Sequence, residues 1–455
     1  MGHEPSAAAD ERVPFSELLA LWGKVGLIGF GGPAGQIALM HRLVVEQKRW
    51  LGEARFLSAL NYCMLLPGPE AQQLATYIGW LMHGVRGGIA AGLLFILPGS
   101  LVMLGLSVLY VAFGELPVIQ AVFFGIKAAV LAIVLEAVER IARRALKSSL
   151  LIALAAAAFV AIFFFAVPFP LVVLSAGLIG FFSVRNGAAN GNQTAAGDHD
   201  GLIDRLLDRG ELSHTRPNPA RSLLAIGFWS ALWLAPVGIL SIWLGPEATF
   251  TKIATFFATM AIVTFGGAYA VLAYVAQEAV ATYGWLSADE MLKGLALAET
   301  TPGPLILVLE FVGFLAAYRD PGILNPYVAG VLGAALTLWV TFAPSFIWIL
   351  AGAPYAEALR RNPKLAGALS AITAAVVGVI LNLAIWFALN VVFARVGETT
   401  FGPLRLYQPE WMTFDPLAAA LAALALLLLL RARLGMLTVL ALMAAAGVGV
   451  WQAGL

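Results

Sequence analysis

Long apolar stretches separated by short polar ones make up most of the chain. Residues 148–166, 168–184, 222–244, 414–430 and 433–452 read as unbroken apolar helices. Runs of that length with almost no charge are what a bilayer span requires. Residues 15–45 and 54–83 are also largely apolar, but each carries a helix breaker at its middle. The first breaker is Gly29-Phe30-Gly31-Gly32-Pro33 and the second is Pro67-Gly68-Pro69. Each arm then has about 12–16 residues, or roughly 18–24 Å of helix, whereas a full crossing needs about 20 residues. The pattern predicts two re-entrant hairpins whose tips meet near the bilayer centre.

The same pattern recurs. Phe30-Gly31-Gly32 falls on Phe265-Gly266-Gly267. The same constant shift in numbering carries Trp50-Leu51 onto Trp285-Leu286 and Pro67-Gly68-Pro69 onto Pro302-Gly303-Pro304. Beyond these motifs the shift is larger, with Pro98 on Pro344 and Ile126 on Ile372, because extra residues enter the second copy near Arg319–Pro326. The second copy predicts two more hairpins at 250–282 and 287–318. The chain thus divides into an N-terminal tail (1–14), a first repeat (15–184), a polar linker (185–221), a linking transmembrane helix (222–244) and a second repeat (250–453). The linker is rich in Gly, Asn and Asp and reads as flexible and solvent-exposed.

Composition settles the solvent. Hydrophobic residues are 61% and charged ones 12% of the 455, against about 25% charged in soluble domains. A net charge of +1 offers nothing for a nucleic-acid partner. The single cysteine, Cys63, rules out an internal disulfide, and the five histidines show no metal-ligand spacing. No cofactor, metal or nucleotide loop is implied, and no Ser/His/Asp set suggests an enzyme.

Charge placement orients the copies. Positive residues favour the cytoplasmic side in short loops. Arg140, Arg143, Arg144 and Lys147, and then Arg205, Arg209, Arg216 and Arg221 of the linker, lie two helices apart and are expected inside. Arg42, Lys48, Arg49 and Arg55 surround Trp50, whereas Glu278, Asp289 and Glu290 surround Trp285. In the second copy Arg360, Arg361 and Lys364, then Arg431 and Arg433, supply the basic turns. One extra crossing at 222–244 accounts for the reversal. The expected fold class is an all-α polytopic membrane protein of two inverted-topology repeats, each with two re-entrant hairpins plus spanning helices. Its N-terminus and linker are cytoplasmic in this reading.

Irregular backbone at mid-membrane is tolerated where protein or a watery cavity covers it. A helix that starts at Pro69 or Pro304 points free N–H groups and a partial positive charge at the tip, which suits an anion. The candidate binding residues are Gly31, Gly32, Gln36, Pro67, Gly68, Pro69, Gln72, Gln73, Gly266, Gly267, Thr300, Thr301 and Gly303. The glutamines and threonines are candidate hydrogen-bond donors to an oxyanion. Lys127, which lies with Glu136 in the helix near 117–143, is a candidate to neutralise it, or else pairs with a carboxylate or snorkels to the outer face. Glu70 and Glu299, beside the tips, are candidates for carrying a proton. The structural alternatives are plain kinks, close-packing glycines and helix–helix hydrogen bonds.

Gly29-Phe30-Gly31-Gly32-Pro33, Arg49-Trp50, Leu66-Pro67-Gly68-Pro69-Glu70-Ala71-Gln72-Gln73 and Phe95-Ile96-Leu97-Pro98-Gly99 together resemble the chromate transporter family. Thr264-Phe265-Gly266-Gly267-Ala268 and Thr301-Pro302-Gly303-Pro304 resemble its C-terminal domain. The resemblance spans about residues 15–184 and 250–390. It implies a secondary transporter exporting chromate across a prokaryotic inner (plasma) membrane, driven by the proton gradient or by anion exchange. A carrier of sulfate or another tetrahedral oxyanion stays open beside it, as does a passive anion channel. Oligomeric state is open too, with a homodimer among the options.

Overall fold

The computed structural model describes residues 13–183, 201–263, 265, 268–356 and 362–454. Most of the N-terminal tail, the linker up to residue 200, Gly266, Gly267, Arg360 and Arg361 lie outside the described residues. The first copy comprises α1 (Phe15–Ile28), α2 (Gly32–His41), α3 (Glu53–Met64), α4 (Glu70–Phe113), α5 (Pro117–Ala145), α6 (Ser149–Phe165) and α7 (Phe169–Ser183). Next come α8 (Leu202–Asp208) and α9 (Pro219–Trp243). The second copy holds α10 (Thr249–Val263), α11 (Ala268–Gln277), α12 (Ala288–Thr300), α13 (Val308–Arg319), α14 (Pro326–Gly352) and α15 (Pro363–Val392). A hairpin of β1 (Val396–Phe401) and β2 (Leu404–Pro409), then α16 (Pro416–Leu426) and α17 (Met436–Gln452), complete it. Among the described residues five helices are long and apolar enough to cross a membrane: α4, α5, α9, α14 with its terminal turn, and α15.

The repeat is visible in the backbone. Each copy breaks its first apolar stretch between two short helices, α1/α2 and α10/α11, and its second between α3/α4 and α12/α13. Both α2 and α11 widen into a π-turn, at Arg42–Gln47 and Glu278–Thr282. Arg49 and Gly284, which the repeat places at equivalent positions, then take left-handed conformations (φ 51° and 61°). This turns the next N–H back onto the helix end. The Trp50 N–H donates to the Val44 carbonyl at 2.9 Å, and the Trp285 N–H to Ala279 at 2.8 Å, in the same register.

α4 is two arms rather than one rod. The chain reverses at His83 and Gly84, and Gly84 adopts φ 60°, which a side chain would strain. A Cβ at Gly79 would collide with the Gly87 carbonyl, although residues eight apart in a straight helix are separated by about 12 Å. The corresponding arms of the second copy are α13 and α14, and there Gly333 abuts the Gly313 carbonyl. The added residues near Arg319–Pro326 lengthen those arms and the turn between them.

Two features were not expected. The fold is that of an all-α membrane protein but for one short hairpin: β1 and β2 pair antiparallel, Val396 with Pro409 through Phe401 with Leu404, around a turn at Gly402 (φ 60°). Arg405 of this hairpin reaches the end of α6 and donates to the Ile162 carbonyl at 2.9 Å. The second half of the polar linker is folded against the first copy rather than loose. Leu202 and Ile203 donate backbone hydrogen bonds to Arg49 and Trp50. Asp204, 2% exposed, accepts from the Gly52 N–H at 2.7 Å and pairs with Arg55. His214 bonds the Trp80 carbonyl at 2.8 Å. A buried aspartate that neutralises an arginine and also bonds a backbone N–H fixes the segment in place.

α9 stays peripheral. Trp233 is its only buried side chain among the described residues and donates to the Val340 carbonyl of α14 at 2.8 Å. Trp229 stacks on Phe346 and Val237 packs against the core, but most of the other apolar side chains of α9 are exposed, as on a helix solvated by lipid.

Candidate functional site

The breaks of the two copies meet. Gly29, at the end of α1, accepts a hydrogen bond from the Gly303 N–H at 3.0 Å. Gln36 of α2 lies beside this contact with 0% exposure. Its Nε2 donates to the Gly29 carbonyl at 3.1 Å and to the Gly303 carbonyl. The first tip of copy one is thus bonded to the second tip of copy two. Gly31, Gly32, Gly68 and Gly303 have φ of 91°, 63°, 110° and 97°, so glycine is what lets each break turn as it does.

The copies also exchange a contact. Gly99 follows Pro98 on α4, and a Cβ there would collide with the Pro302 carbonyl at the second copy's tip. Ser345 follows Pro344, the counterpart of Pro98, on α14, and its Oγ faces the first copy's Gly68. The Gln73 Nε2 donates to the Pro67 carbonyl at 2.7 Å and to Ser345 Oγ at 3.5 Å. Each Pro-Gly-Pro tip therefore rests on the proline-bearing helix of the other copy.

Helix starts follow from the prolines. Pro69 is the N-cap of α4 and leaves the first turn, from Glu70, without a side-chain cap. Its free N–H groups carry the partial positive charge of the helix end. In the second copy Pro304 opens a 3₁₀ turn, Leu305–Leu307, before α13 begins at Val308. The two helix starts are therefore not equivalent.

The expected side-chain donors are already engaged. Thr300 and Thr301 both donate to the Leu297 carbonyl, at 2.8 and 2.7 Å. Gln72 donates to Thr76 Oγ1 at 3.3 Å. The amides of Gln36 and Gln73 are spent on tip carbonyls. What remains without a partner among the described residues is the Oε1 acceptor of Gln36, Gln72 and Gln73. In this conformation the glutamines brace the breaks, and the free donors beside them are the backbone N–H groups of the helix starts.

Charged candidates are placed differently from one another. Lys127 pairs with Asp289 at the far end of α12 from the tip, and Lys293 joins the same carboxylate at 2.8 Å. Asp289 and Thr300 are separated by about 16 Å of helix, so Lys127 is not among the groups at the tips. Glu299 is buried and accepts from Tyr269 Oη at 3.0 Å. Glu70 stands half-buried in the first turn of α4. Gly266 and Gly267 lie outside the described residues.

Sequence reasoning passed over Glu310, Ser100 and Ser345. Glu310 is 1% exposed, accepts from Ser100 Oγ at 3.2 Å, and has no cation beside it among the described residues. Leaving a carboxylate ionised in such a place costs several kcal/mol. The signal was present: Glu310 is the one charged residue in the apolar run Leu305–Ala317, and intramembrane carboxylates are functional candidates by default.

The sequence profile described as chromate transporter matches residues 16–181 and 251–450, the two copies without the segment that joins them. The chain is 31% identical to the chromate transport protein of Pseudomonas aeruginosa over 88% of this chain and 89% of that one. It is 29% identical to a probable chromate transport protein of Synechococcus elongatus, covering 78% and 80%. It is 27% identical to the chromate transport protein of Cupriavidus metallidurans, covering 82% of each. No solved structure matches. With its apolar helices the protein is a multi-pass membrane protein of a transport family, not an enzyme, and it belongs to the chromate transporter family.

Proposed function

We propose that this chain is a secondary transporter that exports chromate across the inner (plasma) membrane, coupled to the proton gradient or to anion exchange. Its repeats are inverted, its broken helices are re-entrant, and its N-terminus and linker face the cytoplasm. The anion is held where the helix starts of α2 and α4 and the Pro302-Gly303-Pro304 tip converge. The reading rests above all on the hydrogen bond from Gly303 to Gly29, which joins a tip of each copy. The names borne by the Pseudomonas and Cupriavidus relatives support chromate as the substrate.

Flux in proteoliposomes under an imposed pH gradient tests it. Saturable chromate transport that responds to the gradient and is competed by sulfate is expected. Poorly saturating flux that ignores the gradient would make the protein a channel, and no chromate flux would remove the reading.

The inversion has its own test. Gln47 and Thr282 occupy equivalent positions in the two copies, and both are exposed, unlike buried Trp50 and Trp285. In a Cys63→Ala background, Gln47→Cys and Thr282→Cys should react with an impermeant maleimide from opposite sides of sealed vesicles. Reaction from one side only would rule the inversion out.

A further inference from the structure

We infer that Glu310, held by Ser100 where the two copies cross, binds a proton together with the transported oxyanion. The inference rests on the transport reading above and names the group that links proton to anion. Leu307 and Glu310 lie one turn apart and meet α4: Leu307 faces Gly99, with its Cδ1 2.8 Å from where a Cβ would stand. Ser100, the next residue of α4, donates to Glu310 Oε1 at 3.2 Å. The other carboxyl oxygen, Oε2, is buried without a partner among the described residues.

Among the described residues no cation answers it. α4 presents Ser100 and, farther along, Tyr110, whose ring meets Phe311 and whose hydroxyl bonds Glu290. Glu290 of α12 is paired with Arg319, at the opposite end of α13. Among the described residues of α10, α12 and α14, no charged side chain acts on Glu310. Its two oxygens thus have one neutral donor between them and no counter-charge among the described residues. Glu299 differs in being tied to a tyrosine within its own copy, and Glu70 in standing at an uncapped helix start.

Linkage follows from position. Gly303 precedes Glu310 by seven residues, through the 3₁₀ turn Leu305–Leu307 and the start of α13, which places the tip on the order of 10 Å away. A dianion at the tip and an ionised Glu310 would repel each other through a poorly polarisable medium. Anion binding therefore favours the protonated carboxyl, and by reciprocity the proton favours the anion. The proton comes from water on the side where the anion enters and returns to water on the other side; no other bond is made. The two ligands move in the same direction. Their sum is still negative, so a cell interior at negative potential still drives it outward.

Chromate titrated into the purified protein in lipid nanodiscs, in weak buffer with a pH indicator, reads this directly. Above about pH 8 the probe is a dianion, and proton uptake per chromate bound, in wild type and Glu299→Gln alike, is expected to rise with pH towards one as the carboxyl of the unliganded protein ionises. Their affinity should weaken by up to about tenfold per pH unit above the linked midpoint, the limit for one proton. Glu310→Gln should bind chromate with no proton uptake and an affinity that does not change with pH. Glu310→Asp, which keeps the carboxyl if the glutamine variant fails to fold, should retain uptake. Wild-type uptake in Glu310→Gln, or none in a folded Glu310→Asp that binds chromate, overturns the inference and leaves the transport reading standing. Failure of wild type and Glu299→Gln alike to bind chromate removes both.

Discussion

Valine at Gly99 is expected to reduce chromate flux about a hundredfold or more, the scale at which an ångström of misplacement is felt in a positioned site, while the protein still inserts. Gly99 sits in the crossing of α4 over the Pro302-Gly303-Pro304 tip. A Cβ there would run into the Pro302 carbonyl and approach Leu307 Cδ1 at 2.8 Å. The obstruction is backbone, so no rotamer change relieves it; either α4 or the tip must move. Overpacking of this kind costs about 1–3 kcal/mol. Here that cost falls on the Gly303–Gly29 hydrogen bond, the direct backbone link between the copies. Gly105 on the same helix is the control, because a Cβ there has nothing within 4 Å. Gly105→Val should transport at close to the wild-type rate. Flux per reconstituted molecule checks both, and a Gly99→Val protein within threefold of wild type would show that the tip's position does not matter.

How far the molecule was legible depended on the kind of signal. Breaks made by Gly-Gly and Pro-Gly-Pro leave a strong mark, since glycine and proline dictate backbone conformation locally. The register that lays Gly31-Gly32 on Gly266-Gly267 therefore reappears in the left-handed turns at Arg49 and Gly284 and in the tryptophan N–H bonds beyond them. Contacts between copies leave no such mark. Nothing in the order of residues says that Gly99 would meet Pro302, or that Gln36 would spend its amide on Gly303. The threonines were read as donors because hydroxyls are donors, but a hydroxyl in a helix can bond its own turn, and Thr300 and Thr301 do so.

Composition misled in two places. The linker is polar and rich in small residues, which reads as loose. Yet Leu202, Ile203, Leu206 and Leu207 repeat at helical spacing, and burial of Ile203 and Leu206 with the Asp204–Arg55 pair docks the segment. The β-hairpin lies in a stretch between helices where apolar and polar residues alternate around Gly402-Pro403. That pattern is a hairpin signal, but it is short and sits among far stronger helical ones.

Leucine in place of Gln36 is expected to slow transport about tenfold, the effect of about 1.4 kcal/mol. The substitution keeps much of the volume and removes the amide. Gly29 keeps the Gly303 N–H, but the Gly303 carbonyl loses the donor on α2. Stranding a buried carbonyl costs about 1–3 kcal/mol, offset in part because the unpartnered Oε1 of Gln36 disappears with the amide. Val271 stands at the equivalent position of the second copy and has no amide to offer. The brace is therefore one-sided, and copy two cannot substitute for it. Glutamate at position 36 separates the donor role from simple packing. Ionised, it would set a charge against two carbonyl oxygens; protonated, it would offer one donor where the amide offers two. Flux and thermal midpoint should therefore fall in the order wild type, Gln36→Leu, Gln36→Glu. A glutamate variant that transports as well as wild type would mean that the side chain acts as an acceptor, and that the tips are held together by their backbone bond alone.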